Sequence, residues 1–233
     1  MPDADEKTIA FVVYPGLTPL DLIGPLEVFA ATSFFAPHIH AATVAERREP
    51  MSTDCPVEVI PEHTFDEVPD PYAVVVPGGQ APCIRAMAND AIREYLTSAD
   101  EHAEMVTSVC TGALVLGAAG LLEGRKATTH WAYARLLEKL GAQYLPERWV
   151  QDGKFLTSAG VSAGIDMALH LAALLTDEAT ARMAQIAIEY DPRPPFGGID
   201  WSGVNRDMWA PMVEHQVREE LADHPDLLAR LSG

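Results

Sequence analysis

The chain has 233 residues, of which 48% are hydrophobic, and its 34 acidic and 16 basic residues give a formal net charge of −18. This length and apolar content predict a single domain with a buried core, spanning residues 1–233. The negative charge disfavours nucleic acids and anionic membranes as partners, because both repel it. No apolar stretch reaches the roughly 20 residues that a transmembrane helix needs.

Three cysteines, Cys55, Cys83 and Cys110, are an odd number without the spacing of metal ligands. Free thiols are typical of a reducing compartment. Residues 1–7 are polar and acidic, unlike the basic and then apolar start of a signal peptide. We therefore expect a cytoplasmic protein without a metal site.

The first half of the chain alternates short apolar strands with helices. The predicted elements are a strand at 8–14, a helix at 18–31 with a kink at Pro25, strands at 38–44, 55–61 and 72–76, and a helix at 91–104. Pro-Gly sequences follow the first and the last of these strands, at 15–16 and 77–79. Each therefore ends in a turn.

The second half continues the alternation. Its predicted elements are a strand at 105–109, a helix at 111–122, a short strand before residue 129, a helix at 131–140, a hairpin around Asp152-Gly153, and helices at 162–175 and 177–190. This pattern predicts an α/β fold with a mostly parallel sheet and helices on both faces. Residues 192–233 are expected to form a C-terminal arm and helix, with the segment 192–209 over the pocket or a partner subunit.

Cys110 directly follows a predicted strand and opens a helix. Such a turn exposes a side chain above the edge of the sheet, where α/β folds bind ligands. The free N–H groups of the helix would favour the reactive thiolate. A lone cysteine is just as often a small buried apolar residue. Position alone leaves both interpretations open.

Three stretches resemble the ThiJ/PfpI superfamily, whose members have glutamine-amidotransferase-like folds. They are 20–29 (LDLIGPLEVF), 76–79 (VPGG) and 108–131 (SVCTGALVLGAAGLLEGRKATTHW). The resemblance extends from the first strand to about Phe196 and is strongest for the bacterial members that hydrate isonitriles. It implies a flavodoxin-like α/β sandwich, a homodimer, and conversion of a small isonitrile to an N-substituted formamide through a cysteine thioimidate, with no cofactor.

The resemblance also implies a set of site residues. They are Cys110 as nucleophile, Asp21 as acid, Thr111 beside the cysteine, and Gly78, Gly79 and His130 in the substrate pocket. The role of the histidine differs among the relatives, and it is not expected to be a base.

Asp21 has a second interpretation. It stands three residues after Thr18, where an acid completes a capping box and complements the helix dipole. A carboxyl group beside a thiolate should instead have a raised pKa, which suits a proton donor. The resemblance around Cys110 favours the proton donor.

Other functions within the resemblance were weighed. PfpI-type peptidases and deglycases place a histidine directly after the cysteine, where this chain has Thr111. AraC-like regulators share the SVCTGA and ATTHW motifs but continue into two helix-turn-helix units. The 43 residues after Tyr190 are Pro-rich and then acidic, and do not match such units. A ligand or redox sensor, or another small-molecule hydrolase or lyase, stays open as an alternative.

Overall fold

A computed structural model describes residues 6–232, and its centre is a seven-stranded sheet. With strands numbered in chain order, the sheet runs β10 (Trp149–Asp152), β11 (Phe155–Ser158), β7 (Met105–Ser108), β6 (Ala73–Val76), β1 (Lys7–Val12), β2 (Ile39–Ala45) and β5 (His63–Thr64). All neighbours are parallel except β10 and β11, which form the predicted hairpin. The prediction of a mostly parallel sheet is confirmed.

Two short strand pairs lie outside this sheet. They are β3 (Met51–Ser52) with β4 (Glu58–Val59), and β8 (Lys126–Ala127) with β9 (Gln143–Tyr144). The predicted strand at 55–61 is therefore mostly wrong. Its beginning is an exposed turn, because the Thr53 hydroxyl bonds both the N–H and the carbonyl of Cys55 and diverts them from any strand partner.

The helices pack around the sheet in two groups. Their bounds are α1 (Pro19–Phe35), α2 (Gln80–Ala86), α3 (Asp90–His102), α4 (Gly112–Ala118), α5 (Ala134–Lys139), α6 (Ala163–Leu175), α7 (Glu178–Ala187), α8 (Ala210–Glu220) and α9 (Pro225–Ser232). Helices α1, α6 and α7 contact one another, and the remaining helices form the second group. Every residue of β6, β7 and β11 is buried, so both faces of the central sheet are covered, as predicted.

Some helix bounds differ from the prediction. Helix α1 passes through Pro25 and continues to Phe35, and α4 ends at Ala118, before a turn at Gly120 with φ of +81°. Helix α2 was not predicted, because Pro82 and the preceding glycines are typical of a loop. Pro82 is tolerated because it is the third helical residue, where the N–H has no partner within the helix.

The C-terminal residues pack onto the second helical group. The predicted single helix is two, α8 and α9, preceded by 3-10 turns at Trp201–Gly203 and Arg206–Trp209. The Tyr133 hydroxyl donates to Gln216 of α8 at 2.8 Å, and Arg230 of α9 donates to the Leu140 carbonyl at 3.1 Å. Among residues 6–232, no helix combines the length and apolar character that crossing a membrane requires.

The start of α4 lies against the end of β6. A Cβ atom on Gly112 would stand 2.1 Å from the Val76 carbonyl oxygen and 2.9 Å from that of Pro77. No side chain fits at that distance. This contact fixes the turn between β7 and α4, and with it the position of Cys110.

Gly112→Ala should therefore lower the free energy of unfolding by at least about 1–3 kcal/mol, the usual effect of overpacking. Gly198→Ala is the matched control, since no atom lies within 4 Å of its added Cβ, and it should change stability by less than about 0.5 kcal/mol. Urea unfolding of both variants measures the difference. Equal stabilities would contradict the close approach of α4 to β6.

Candidate active site

Cys110 occupies the turn between β7 and α4. Its backbone φ is +58°, in the left-handed region that residues with side chains rarely adopt. Its N–H donates to the carbonyl oxygens of Ser158 (3.1 Å) and Ala159 (3.2 Å), and its carbonyl accepts from the Thr129 hydroxyl (2.9 Å). These bonds hold the strained conformation. The predicted strained turn is confirmed.

Cys110 is 5% exposed. Burial raises its pKa well above the usual value and the nearby Asp21 raises it further, while the N–H groups of Val161 and Thr111 act in the opposite direction. The start of the helix favours the thiolate, as expected, but its effect is smaller than that of burial. Desolvation outweighs the helix, and the thiol keeps its proton until a base removes it.

Asp21 is the third residue of α1 and is fully buried. Its Oδ2 accepts a hydrogen bond from the Gly78 N–H at 3.0 Å. The Thr18 side chain makes no capping bond and donates instead to Asp54 at 2.5 Å. A capping box needs the side chains of both residues, so this interpretation of Asp21 is wrong.

The other carboxyl oxygen of Asp21, Oδ1, is buried and has no hydrogen bond of normal length among residues 6–232. Burial raises the pKa of Asp21 to about 7, and the Gly78 N–H and the Cys110 thiol partly offset that rise. A negative charge on either Asp21 or Cys110 disfavours a second on the other. Above about pH 7 the two groups therefore hold one proton between them, and below it both are protonated.

Thr111, Gly78 and Gly79 lie together beside this pair. The Gly79 N–H donates to the Thr111 Oγ1 at 3.0 Å, and the Thr111 hydroxyl donates back to the Gly79 carbonyl at 3.1 Å. A Cβ on Gly78 would lie 2.7 Å from Thr111 and 2.8 Å from Asp21. The N–H groups of both glycines are thus bonded to Asp21 and Thr111. These bonds show that the two glycines hold neighbouring side chains, and their place in the substrate pocket stays a prediction.

His130 lies apart from this cluster, on the wall of a cavity of about 740 Å³. Its ring packs against Gly160, where an added Cβ would lie 2.6 Å from the histidine Cδ2. Burial lowers the pKa of His130, which favours the neutral ring. Its Nδ1 accepts from the Ala132 N–H at 3.3 Å, so the proton of the neutral ring is on Nε2. Neither nitrogen is then free to act as a base.

Several residues that surround the cysteine were not predicted from the sequence as part of the site. Val161, with φ of +32°, is strained for a β-branched residue, and its N–H favours the Cys110 thiolate. The Cys83 thiol donates to the Thr111 carbonyl at 3.1 Å, and burial raises its pKa to about 11. Tyr14 donates to the Pro77 carbonyl at 2.8 Å. Of these residues, only Tyr14 has a sequence context that indicates its place at the end of a strand, since it ends an apolar run before Pro-Gly.

The site has no grouping of side chains typical of a metal centre among the described residues. Within the described part of the chain, no three or more His, Cys, Asp or Glu side chains are grouped so that they could hold a metal ion. The groups positioned for chemistry are thus a thiol, a carboxyl group, a hydroxyl group and backbone N–H groups.

The model of the DJ-1/PfpI family matches residues 7–174, which span the whole seven-stranded sheet and almost all of α6. The chain belongs to the DJ-1/PfpI family. The sequence-based identification of the superfamily and of its flavodoxin-like fold is thereby confirmed. The match ends before α7, α8 and α9, so the C-terminal segment lies outside the family model.

Individual DJ-1/PfpI relatives agree with this assignment. Isonitrile hydratase of Pseudomonas putida is 42% identical over 188 residues, which are 81% of this chain and 80% of that enzyme. A ThiJ/PfpI family protein from Pseudomonas syringae has a TM-score of 0.83 and 32% identity, and the match covers 100% of this chain and 97% of the other. Drosophila melanogaster DJ-1beta, at 19% identity and TM-score 0.72 over 80% of this chain and 100% of its own, is similar in fold alone.

Because the pKa of Asp21 is raised, the free energy of unfolding should depend on pH. The folded protein holds this proton more tightly than the unfolded chain, whose pKa is near 3.8. The wild type therefore loses stability as the pH rises from about 4 through 7, and an asparagine does not share that loss. Between pH 5 and pH 8, Asp21→Asn should gain about 2–3 kcal/mol in free energy of unfolding relative to wild type.

Urea unfolding at the two pH values measures this change. Glu27→Gln is the matched control, because Glu27 lies on the same helix with its side chain exposed to water. A pH-independent difference between Asp21→Asn and wild type would contradict the raised pKa.

Proposed function

We propose that this DJ-1/PfpI protein is an isonitrile hydratase, a lyase that adds water to an isonitrile and releases an N-substituted formamide. The proposal is supported by the 42% identity with the Pseudomonas putida enzyme. It depends above all on one feature of the site, the buried Asp21 carboxyl group beside the buried Cys110 thiol. The isonitrile carbon accepts a nucleophile and a proton at the same atom. A thiol and a carboxylate with one proton between them supply both.

In the first step the Cys110 sulfur attacks the terminal carbon of the isonitrile. Asp21 takes the thiol proton and delivers it to that same carbon. One S–C bond and one C–H bond form, and the product is a thioimidate with a C=N bond to the substituent. Asp21 is again a carboxylate and Cys110 is covalently bound.

In the second step Asp21 is the base that assists water. The water oxygen bonds to the thioimidate carbon, and its proton passes to the nitrogen. The tetrahedral adduct then collapses as the C–S bond breaks and a C=O bond forms, and the hydroxyl proton returns to the Cys110–Asp21 pair. The sum is one isonitrile and one water converted to one formamide. No metal or organic cofactor is needed for this balance.

The remaining residues position these groups. Gly78 holds the Asp21 carboxyl group, and Gly79 fixes the Thr111 hydroxyl next to it. Thr111 keeps one hydroxyl lone pair beyond its two bonds to Gly79, which suits contact with water or substrate. His130, neutral and on the cavity wall, is a binding residue in this scheme.

Alternative functions have less support. A cysteine–histidine hydrolase needs an imidazole base, whereas Nδ1 of His130 is occupied and Thr111 follows the cysteine. A redox sensor depends on a thiol of low pKa, and burial raises that of Cys110. Another small-molecule hydrolase or lyase would use the same pair on another electrophile.

We further propose a cytoplasmic, single-domain protein that acts as a homodimer without nucleic acid or membrane partners. Three free cysteines support the compartment, and the charge of −18 supports the absence of phosphate-bearing partners. The apolar side chains of Leu20 and Ile23 on α1, and of Met183 and Ile186 on α7, are exposed on two helices that pack together. An apolar surface of this kind suits a subunit interface.

Turnover of cyclohexyl isocyanide, followed by chromatographic detection of the formamide, tests the function. Cys110→Ala should abolish activity and Cys110→Ser should do nearly the same, because an unassisted hydroxyl is much less acidic. Asp21→Asn should lose about 10²–10⁴-fold, the usual contribution of general acid–base catalysis. Thr111→Val should lose less, an effect of about 1–3 kcal/mol. Full activity of Asp21→Asn would remove Asp21 from the mechanism.

A further inference from the structure

The cavity whose wall includes His130 is larger than a small isonitrile requires. Its volume of about 740 Å³ lies in the upper part of the range typical of sites for drug-sized ligands, about 300–1,000 Å³. The isonitrile group itself has two heavy atoms. Nearly all of this space is therefore available for the substituent on nitrogen.

One end of this cavity reaches the residues that hold the cysteine. Thr129, Ala159 and Val161 all line it. Thr129 donates to the Cys110 carbonyl, Ala159 accepts from the Cys110 N–H, and the Val161 N–H favours the thiolate. Cys110 itself does not line the cavity, and these three residues connect the cysteine to it. If the isonitrile carbon is at the sulfur, a rod-shaped R–N≡C molecule can extend its R group towards the cavity.

The walls of the cavity are aromatic and apolar. Trp131 and Trp201 meet edge to face with ring centroids 6.3 Å apart, and the His130 ring lies 5.4 Å from Trp131. Leu20 of α1 and Ile199 complete the apolar lining. Such a surface stabilises an uncharged, flat or bulky group through burial and edge-to-face contacts.

The lining of the cavity includes one cation and one acid, Arg148 and Glu147. Arg148 lines the cavity and forms an ion pair with Asp166, so this cation is not free to select an anionic substituent. Glu147 is exposed to water, which screens its charge from a substituent in the cavity, and as an acid it gives no attraction to an anion. The cavity therefore favours a neutral substituent.

Three of the wall residues, Ile199, Trp201 and Ser202, come from the C-terminal segment. Ile199 and Trp201 lie beyond residue 174, where the match to the family model ends. Trp201 remains 49% exposed and Ile199 65% exposed, so a substituent in the cavity would cover apolar surface that now meets water. This segment is thus a source of specificity added to the family core.

We propose that the substrates of this protein are isonitriles with a bulky, uncharged aromatic substituent, and that Trp201 and Ile199 select for it. The proposal rests on the proposed hydratase function. It assigns the substituent to the cavity between α1, His130-Trp131 and the 199–202 segment. The chemistry at Cys110 is the same for every isonitrile, so the selection acts through binding of the substituent.

Steady-state hydration of methyl, cyclohexyl and 2-naphthyl isocyanide tests this proposal. The readout is the ratio of kcat/KM for 2-naphthyl to that for methyl isocyanide. In the wild type this ratio should exceed about 100. In Trp201→Ala it should fall about 10- to 100-fold, mainly through a higher KM for the naphthyl compound, as expected for lost apolar contacts in a specificity pocket. Ile199→Ala should lower it less.

Trp149→Ala is the matched control. Trp149 is 39% exposed, stands on the edge strand β10 and does not line the cavity, so this variant should keep the wild-type ratio. A wild-type ratio near 1, or Trp201→Ala and Ile199→Ala variants that fold and keep the wild-type ratio, would overturn the proposal while leaving the hydratase intact. If none of the three compounds yields a formamide, the hydratase function fails, and the proposal fails with it.

Discussion

The carboxyl group of Asp21 and the thiol of Cys110 are buried next to each other, and burial disfavours the charged form of both. Two negative charges at this place would be costly, so the pair keeps at least one proton at neutral pH. Much of the surrounding structure keeps this arrangement in place. The Gly78 N–H holds the carboxyl group, and the strained backbone of Cys110 holds the sulfur. In the proposed mechanism, this proton is transferred from the pair to the isonitrile carbon.

The same burial has opposite effects on stability and on reactivity. An unpartnered carboxyl oxygen such as Oδ1 of Asp21 weakens the folded state, and a left-handed backbone at Cys110 adds strain. The packed strands β6, β7 and β11 and the contact of Gly112 with Val76 offset these losses. A rigid central sheet thus allows the site to contain groups that the fold alone would not favour.

The sequence predicted those parts of the molecule that local patterns determine. Alternating apolar strands and helices gave the sheet, and the strand–Cys–Thr–Gly turn gave the strained position of Cys110. The role of Asp21 as an acid was predicted from the family resemblance, because its local sequence is equally typical of a capping box. The sequence indicated a helix start that favours the thiolate, but it could not indicate the desolvation that outweighs this effect, because desolvation depends on tertiary packing. Val161 and the cavity wall from Ile199 and Trp201 come from segments distant in sequence, which no local pattern connects to the cysteine.

Mass spectrometry of acid-quenched reactions measures the covalent step directly. During the first turnover of cyclohexyl isocyanide, the peptide that contains Cys110 should gain the mass of one whole isonitrile molecule, because the thiol proton stays in the adduct, bound to the former isonitrile carbon. The peptide that contains Cys83, a fully buried thiol in the same protein, should stay unmodified and is the internal control. Formation of formamide without any adduct on Cys110 would contradict nucleophilic catalysis by the Cys110–Asp21 pair.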